Sequence, residues 1–400
     1  MFAYKALSAY LTFPNEDQKQ WWEDTAPLYA GFLNVAQYDV EAQLIHLMFH
    51  FRYVLPSLGP FPKNEEKRTN TVMPGGRLFE ISQNFQKGQS TIRFDYEPVR
   101  SGPGLVQEEN RLNSSALADA LFDLKCNGLC PNTILYDRFE REFFLTPNDF
   151  ALVESKNVSQ TATTQYVVAW DLHRSNRKMK MYWFPAVKAS AASQSKGSFV
   201  LDAIRKVDLE GCYTNSLLVV EQWLSATGLD DDLWILSWDC EKPGSSRVKL
   251  YVSAKDITLE ALEDVWTLGG RVTTPATLDG LALLQELWQA LRPMEQDTGI
   301  RMTISYELVP GSDAPQPKAY LPLSDRNDME LAKKLSCFFK RLGWMELAQS
   351  YTESLSSNYH MLDLAETKYV QDCISFAFTP EKGAYMSMYY CSSLSHPLLN

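Results

Sequence analysis

Three lysines and four tyrosines recur at one fixed step. Lys180, Lys249 and Lys318 follow one another at 69 residues, and Tyr182, Tyr251, Tyr320 and Tyr389 keep the same step. The local strings are KMKMYWFP, SRVKLYVS, PQPKAYLP and AYMSMYYC, with Ser387 in the lysine place of the last. Arg247, in the second string, and Arg93, in STIRFDYEP and off the strict step, add two guanidinium groups. Successive side chains on a strand point to opposite faces. Lys180 therefore shares a face with Tyr182, Arg247 and Lys249 with Tyr251, and Lys318 with Tyr320. Tyr385, Ser387 and Tyr389 share a fourth, and the residues between them are mostly apolar. Gathered in one cavity, Arg93, Lys180, Arg247, Lys249 and Lys318 would repel one another strongly at low dielectric, so they call for a polyanionic ligand. A diphosphate fits, gripped by the arginine forks and by lysine point charges. Phenol rings attract cations and exclude water. Cations that hold a departing diphosphate, beside rings that tolerate a carbocation, are what allylic ionisation needs, with electrostatic preorganisation replacing a metal.

Long-period self-similarity signals a repeated supersecondary unit. Helical spacing and start signals mark NEDQKQWWEDTAPLYAGFLNVA, DVEAQLIHLMFHFRYVLPSL, SSALADALFDLKC, SFVLDAIRKVDL, NSLLVVEQWLSAT, TLEALEDVWTL, TLDGLALLQELWQAL, DMELAKKLSCFFKRLG and MELAQSYTESL. Shorter alternating segments read as strands: STIRFDYEPV, QYVVAWDL, KMKMYWFPA, WILSWDC, SRVKLYVSA, MTISYELV, KAYLPL, ISFAFT and AYMSMYYCS. Helix pairs alternating with strand pairs make a repeating ααββ unit in an α+β fold. The amphipathic helices can cover the apolar strand face, and a sheet closed on itself would turn the cationic, phenolic face into a lumen. One such strand alone could as well face bulk water; four with the same spacing favour a shared lumen. The connectors SGPG, KPGSS and PGSDAPQP are short, and ASAASQSKG after Lys188 is the most flexible stretch. A single domain over 1–400 is expected.

Composition excludes other classes. A net charge of −11 argues against nucleic-acid and anionic-membrane partners. No run approaches 18 apolar residues, and MFAYKALSAYLTF has no signal-peptide pattern. Seven scattered cysteines suit a reducing, cytoplasmic setting. Cys126 and Cys130 lack a second ligand pair for zinc. His46 and His50 sit four apart on a helix without the zincin glutamate and read as structural. Asp230, Asp231 and Asp232 have the wrong spacing for magnesium-binding aspartates and read as a solvated loop. Gly269 and Gly270 follow a helix and read as its C-cap, not a phosphate loop. No cofactor or metal is expected.

In order along the chain, NEDQKQWWEDTAP, VLPSLGPFP, LFEIS with IRFDYEPV, KMYWFPAVK, SRVKLYV, EDVWTLGGR, PKAYLPL with ND after it, FFKRLGW, and ISFAF with GAYMSMYY resemble the fungal indole prenyltransferases of the dimethylallyltryptophan synthase type. The resemblance implies a barrel of ten antiparallel strands ringed by helices (the ABBA prenyltransferase barrel) with the active site in its lumen. It also implies metal-independent transfer of a dimethylallyl group from dimethylallyl diphosphate to an indole, in alkaloid secondary metabolism, by a monomer or homodimer. Arg93, Lys180, Arg247, Lys249 and Lys318 would bind the diphosphate; many relatives have Gln at the Lys318 place. Tyr182, Tyr251, Tyr320, Tyr385 and Tyr389 would shield the cation. Glu80, in LFEIS, matches the acid that accepts the indole N–H and so raises the ring's nucleophilicity; as a lone glutamate ahead of a strand, its plain alternative is solvent exposure. Two departures stand out. Relatives that prenylate free tryptophan at C4 carry a proton-removing lysine where this chain has Val167, and a carboxylate-binding arginine where it has Trp234. Their loss points to an acceptor with a masked carboxylate, such as a tryptophan-containing cyclic dipeptide or a larger indole alkaloid. Thr303 stands near the prenyl tail, where a larger Met blocks longer donors in some relatives. A phenolic, tyrosine-type or polyketide acceptor is the alternative within the same chemistry, and a non-catalytic barrel that binds an isoprenoid diphosphate is the alternative outside it.

Overall fold

Alternation along most of the strands decides the architecture. A computed structural model describes residues 2–62, 78–87, 89–99, 114–129, 131–155, 164–254, 258–291, 301–323 and 326–392; Cys130 and the SGPG connector lie outside them. Ten strands are β1 (Phe79–Gln86), β2 (Gln89–Tyr96), β3 (Tyr166–Leu172), β4 (Arg177–Trp183), β5 (Leu233–Asp239), β6 (Val248–Ala254), β7 (Met302–Leu308), β8 (Gln316–Pro322), β9 (Gln371–Thr379) and β10 (Gly383–Tyr390). Each pairs antiparallel with its sequence neighbours, and β10 pairs with β1, so the sheet is a closed barrel without free edges.

Helices separate the hairpins. α1 (Phe2–Tyr10), α2 (Glu16–Val35) and α3 (Val40–Phe49) precede β1. α4 (Ser114–Cys126), α5 (Ile134–Phe143) and α6 (Pro147–Ser155) join β2 to β3; α7 (Ala186–Ala191), α8 (Lys196–Val207) and α9 (Thr214–Thr227) join β4 to β5. α10 (Leu259–Thr267) and α11 (Pro275–Leu291) join β6 to β7, and α12 (Asp328–Arg341) and α13 (Met345–Asn358) join β8 to β9. The ααββ unit is thus present, with a third helix in two of the connections.

The outward rows are apolar and buried beneath these helices: Met181 and Trp183 on β4, Val248 and Leu250 on β6, Ala319 and Leu321 on β8, Met386 and Met388 on β10. Aromatic contacts pin helix to strand: Phe49 to Trp170, Phe139 to Trp238, Trp223 to Tyr306 and Phe32 to Tyr390, with ring centroids 4.9, 4.6, 5.2 and 4.5 Å apart. Each such ring removes 150–250 Å² of apolar surface from water, to order of magnitude, which is why the outer face, not the lumen, holds the fold together.

Three local expectations are corrected. ASAASQSKG is not a flexible stretch: α7 runs to Ala191, and the Ser195 side chain caps α8 by accepting from the Ser198 N–H. The segment around Glu80 is itself strand β1. Leu268 already takes the left-handed conformation, so α10 turns off one residue before Gly269 and Gly270, which continue it at φ 64° and 78°.

His46 and His50 are fully buried in the helical layer. His46 Nε2 donates to the His173 carbonyl at 2.9 Å. Thr25 donates its hydroxyl to the Trp21 carbonyl, which leaves His50 Nε2 to donate to Thr25 Oγ1, 2.9 Å away. Burial lowers His46 to about 4 and His50 to about 3. Both are neutral in the fold, whereas an unfolded histidine gains a proton below about 6.5. Stability is therefore lost as pH falls from about 6.5 towards these folded values, at about 2 kcal/mol for each histidine by pH 5. Urea midpoints at pH 7.5 and 5.0 should differ accordingly, and His50→Gln should remove its share of the difference; equal midpoints would contradict the burial of neutral rings.

Candidate active site

The lumen face can be followed residue by residue around the ladders. Directly paired residues share a face, which gives the row Glu80, Asp95, Ala169, Lys180, Asp239 across β1 to β5. A second row runs Tyr389, Ser82, Arg93, Asp171. A third runs Tyr385, Ala377, Lys318, Ser305, Tyr251. A fourth runs Glu307, Lys249, Ser237, Tyr182, Val167. Small Ala and Ser alternate with long side chains, so each lysine, arginine or tyrosine projects over a small neighbour. That is how a narrow barrel fits bulky groups inside.

All five cations of the sequence reading face this lumen together, on β2, β4, β8, β6 and, for Arg247, the residue just before β6. Three carboxylates stand among them. Asp171 takes Arg93 Nε and Lys180 Nζ, each at 2.6 Å. Asp239 takes Arg247 Nε at 2.6 Å and Lys249 Nζ at 3.4 Å. Glu307 takes Arg247 Nη1 at 3.1 Å and Lys249 Nζ at 3.7 Å. Lys318 instead lies over the rings of Tyr320 and Tyr385, 5.2 Å from each centroid. The expectation that bare cations force an anion into the site is thereby corrected: acids already offset much of the repulsion, leaving five cations against three carboxylates.

The acids were legible but overlooked. Asp171, Asp239 and Glu307 keep a 68-residue step, each after an aromatic residue in WDL, WDC and YEL. They occupy the odd strands β3, β5 and β7, one strand away from the cations they serve.

These contacts set the ionisation. Burial works against the charge on Asp171, but Arg93 and Lys180 prevail and hold its carboxyl well below the usual range. Asp239 is depressed likewise by Lys249 and Arg247 against its burial. Lys180 is pulled down to about 7, first by burial and then by Arg93. Burial, then Arg93 and Lys249, lower Lys318 far below an ordinary lysine. Burial would lower Arg93 too, but Asp171 together with Tyr385, Tyr389 and Tyr182 more than offsets it.

The four tyrosines of the 69-residue step form a continuous arc. Tyr182 to Tyr251, Tyr251 to Tyr320 and Tyr320 to Tyr389 have ring centroids 6.0, 5.6 and 6.1 Å apart. Arg93 lies 5.8 Å over the Tyr385 ring, tying the fifth tyrosine to the cations. Burial raises Tyr182, Tyr320 and Tyr389 well above an ordinary phenol, so these rings stay neutral. Fully buried hydroxyls of Ser237 and Ser305 face the same space without hydrogen-bond partners among the described residues, hydrogen-bonding capacity that a polar guest can use.

The remaining sequence candidates cluster on one side of the arc. Glu80 is directly across from Asp95, half-buried rather than solvent-exposed. Val167 pairs with Tyr182 and Thr303 with Tyr320. Trp234 occupies the bulge between Leu233 and Ile235, its ring 6.1 Å from Phe184 and its buried Nε1 without a partner among the described residues. A separate cavity of about 470 Å³ lies outside the barrel wall, against Tyr38, Gln83, Ser350 and Tyr390; none of the lumen cations or shield tyrosines lines it.

Residues 17–354 match the family model described as tryptophan dimethylallyltransferase. The chain is similar to echinulin prenyltransferase 1 of Aspergillus ruber, 31% identical over 98% of both chains. It is also similar to the indole diterpene prenyltransferase anaPT of Neosartorya fischeri, 33% identical over 97% of this chain and 90% of that one. The solved structure of NotF in complex with brevianamide F and DMSPP superposes with a TM-score of 0.89 at 31% identity, covering 98% of both chains. A 5-dimethylallyl tryptophan synthase from Streptomyces coelicolor, at 16% identity, covering 92% of this chain and 93% of that one, shares the fold with a TM-score of 0.66. Over nearly its whole length, then, the chain belongs to the tryptophan dimethylallyltransferase family, a transferase built on the closed ten-stranded prenyltransferase barrel.

Proposed function

We propose that this family member transfers a dimethylallyl group from dimethylallyl diphosphate to the indole ring of a tryptophan-containing cyclic dipeptide or a related indole alkaloid, without a metal, in the cytoplasm. The observation that carries the reading is the meeting of two features in one lumen: five cations converging on one zone, and an unbroken arc of phenol rings beside it. Arg93, Lys180, Arg247, Lys249 and Lys318 bind the diphosphate. As its C–O bond breaks, they stabilise the negative charge that develops on the leaving group. The allyl cation stays among Tyr182, Tyr251, Tyr320, Tyr385 and Tyr389, whose ring faces favour positive charge and keep water away. Glu80 accepts the indole N–H, and the ring carbon attacks.

The acceptor side supports a masked carboxylate. Val167 and Trp234 offer neither a base nor a cation there. The relatives' names point the same way, since NotF is described with brevianamide F. Thr303, opposite Tyr320, leaves the donor end open to a longer chain. Incubation with dimethylallyl diphosphate, a Trp-Pro cyclic dipeptide and EDTA should give a prenylated indole at the rate seen with added Mg²⁺. Strict dependence on Mg²⁺ would overturn the metal-free chemistry, and a preference for phenols by orders of magnitude would overturn the indole.

A further inference from the structure

Alkylation at an indole carbon that bears hydrogen leaves a ring proton that must go somewhere, and Val167 cannot take it. We infer that Asp95 is the base that receives it. The inference rests on the indole-prenylation reading above.

Asp95 pairs directly with Glu80 across the β1–β2 ladder and with Ala169 across the β2–β3 ladder. Cross-strand partners of this kind have Cβ atoms about 5 Å apart. Two carboxylates therefore flank one acceptor, and the methyl of Ala169 leaves space beside the second. The two reach different sides of the lumen. Through Ala169 the Asp95 row continues to β4, where Lys180 stands two residues from Tyr182, and Asp95 acts on the Tyr182 ring. Glu80 acts on Cys373, the partner of Tyr389 on the opposite side. With the indole N–H turned to Glu80, the attacked carbon therefore lies towards Asp95 and Tyr182. Lys180, two small steps along the same row, is already engaged by Asp171 at 2.6 Å and by its task at the diphosphate.

The step balances as follows. The C–O bond to diphosphate breaks with its electron pair on oxygen. A ring carbon of the indole forms the new C–C bond, giving a cationic ring. The proton on that carbon passes to the Asp95 carboxylate, the C–H pair restores the aromatic sextet, and the acid later loses its proton to solvent as product leaves. Transfer to a positioned base contributes about 100-fold at the low end of its usual range.

The test uses the full-length protein, dimethylallyl diphosphate and a Trp-Pro cyclic dipeptide, unlabelled and with a fully deuterated indole ring. Wild type should show an isotope effect on kcat near one. Asp95→Asn should keep its diphosphate affinity and circular dichroism, lose about 100-fold in kcat, and show an isotope effect above about two, with partial rescue in Asp95→Glu. Glu80→Gln should lose rate with no isotope effect. Asp95→Asn at wild-type rate, Asp95→Asn slowed with an isotope effect of one, or a product that retains every ring deuterium overturns the assignment while leaving indole prenylation intact. Wild type that prenylates no indole overturns both.

Discussion

Lys180→Ala is expected to lower turnover about 1,000-fold, the upper range for removing one preorganised electrostatic stabiliser. Of the cations, it is the one most enclosed, with its side chain only 5% exposed and its ammonium fixed by Asp171. That enclosure makes it effective and sensitive at once. Burial and Arg93 hold it to about 7, so above neutrality much of it is uncharged before a diphosphate binds, even with Asp171 beside it. A bound diphosphate favours the ammonium form and raises the value again. Binding of inorganic pyrophosphate at pH 8 should therefore take up protons. Calorimetry in two amine buffers of different ionisation enthalpy reads that uptake, and Lys180→Ala should shrink it while Lys318 supplies the rest. Lys180→Arg keeps the charge but not the titration, so it should recover part of the turnover and none of the lost uptake. Turnover within about threefold of wild type in Lys180→Ala would show that this ammonium does not face the leaving group.

The sequence marks every strand but β1, yet only the even-numbered strands declare their chemistry. On β4, β6, β8 and β10 a long polar residue alternates strictly with an apolar one, and the pattern recurs in register, so face, repeat and chemistry arrive together. The odd-numbered strands hid theirs. Asp239 closes β5, and Asp171 and Glu307 stand one residue before the ends of β3 and β7, on strands whose other residues are nearly all buried; an acid so near a strand end resembles turn chemistry. Only pairing shows that they neutralise cations one strand over. β1 is harder still, because Gln83 breaks its alternation and is buried. Gln83 points outward and is satisfied by Ser90, which no single-strand pattern can reveal. α5 packs Phe139 on Trp238 of β5 and Phe143 on Trp183 of β4, while α6 packs Val153 against Val187 and Ala191 of α7, tertiary contacts that supply what local propensity lacks. Ring closure has the same character. Each hairpin is local, but the β1–β10 pairing joins residues 81 and 390 and exists only because ten twisted strands come round.

Glu80→Gln should lower kcat on a Trp-Pro cyclic dipeptide about 100- to 1,000-fold and leave the affinity for pyrophosphate unchanged. The amide keeps the shape of the side chain and can still accept a hydrogen bond, but it has no charge to push density through N1 into the ring. Its place in the barrel predicts the separation of the two effects. Glu80 heads the row that runs through Asp95 and Ala169 before reaching Lys180, so it faces the acceptor and not the leaving group. Methylation of the indole nitrogen supplies the matching deletion on the substrate. Wild type should lose most of its rate on the N-methyl acceptor, whereas Glu80→Gln, which has already lost the interaction, should discriminate little between the two. That non-additivity is what a direct contact requires. If Glu80→Gln retains full rate, or if the variant and the methyl group act independently, the carboxylate does not hold the indole N–H, and the ring must enter the lumen in another orientation.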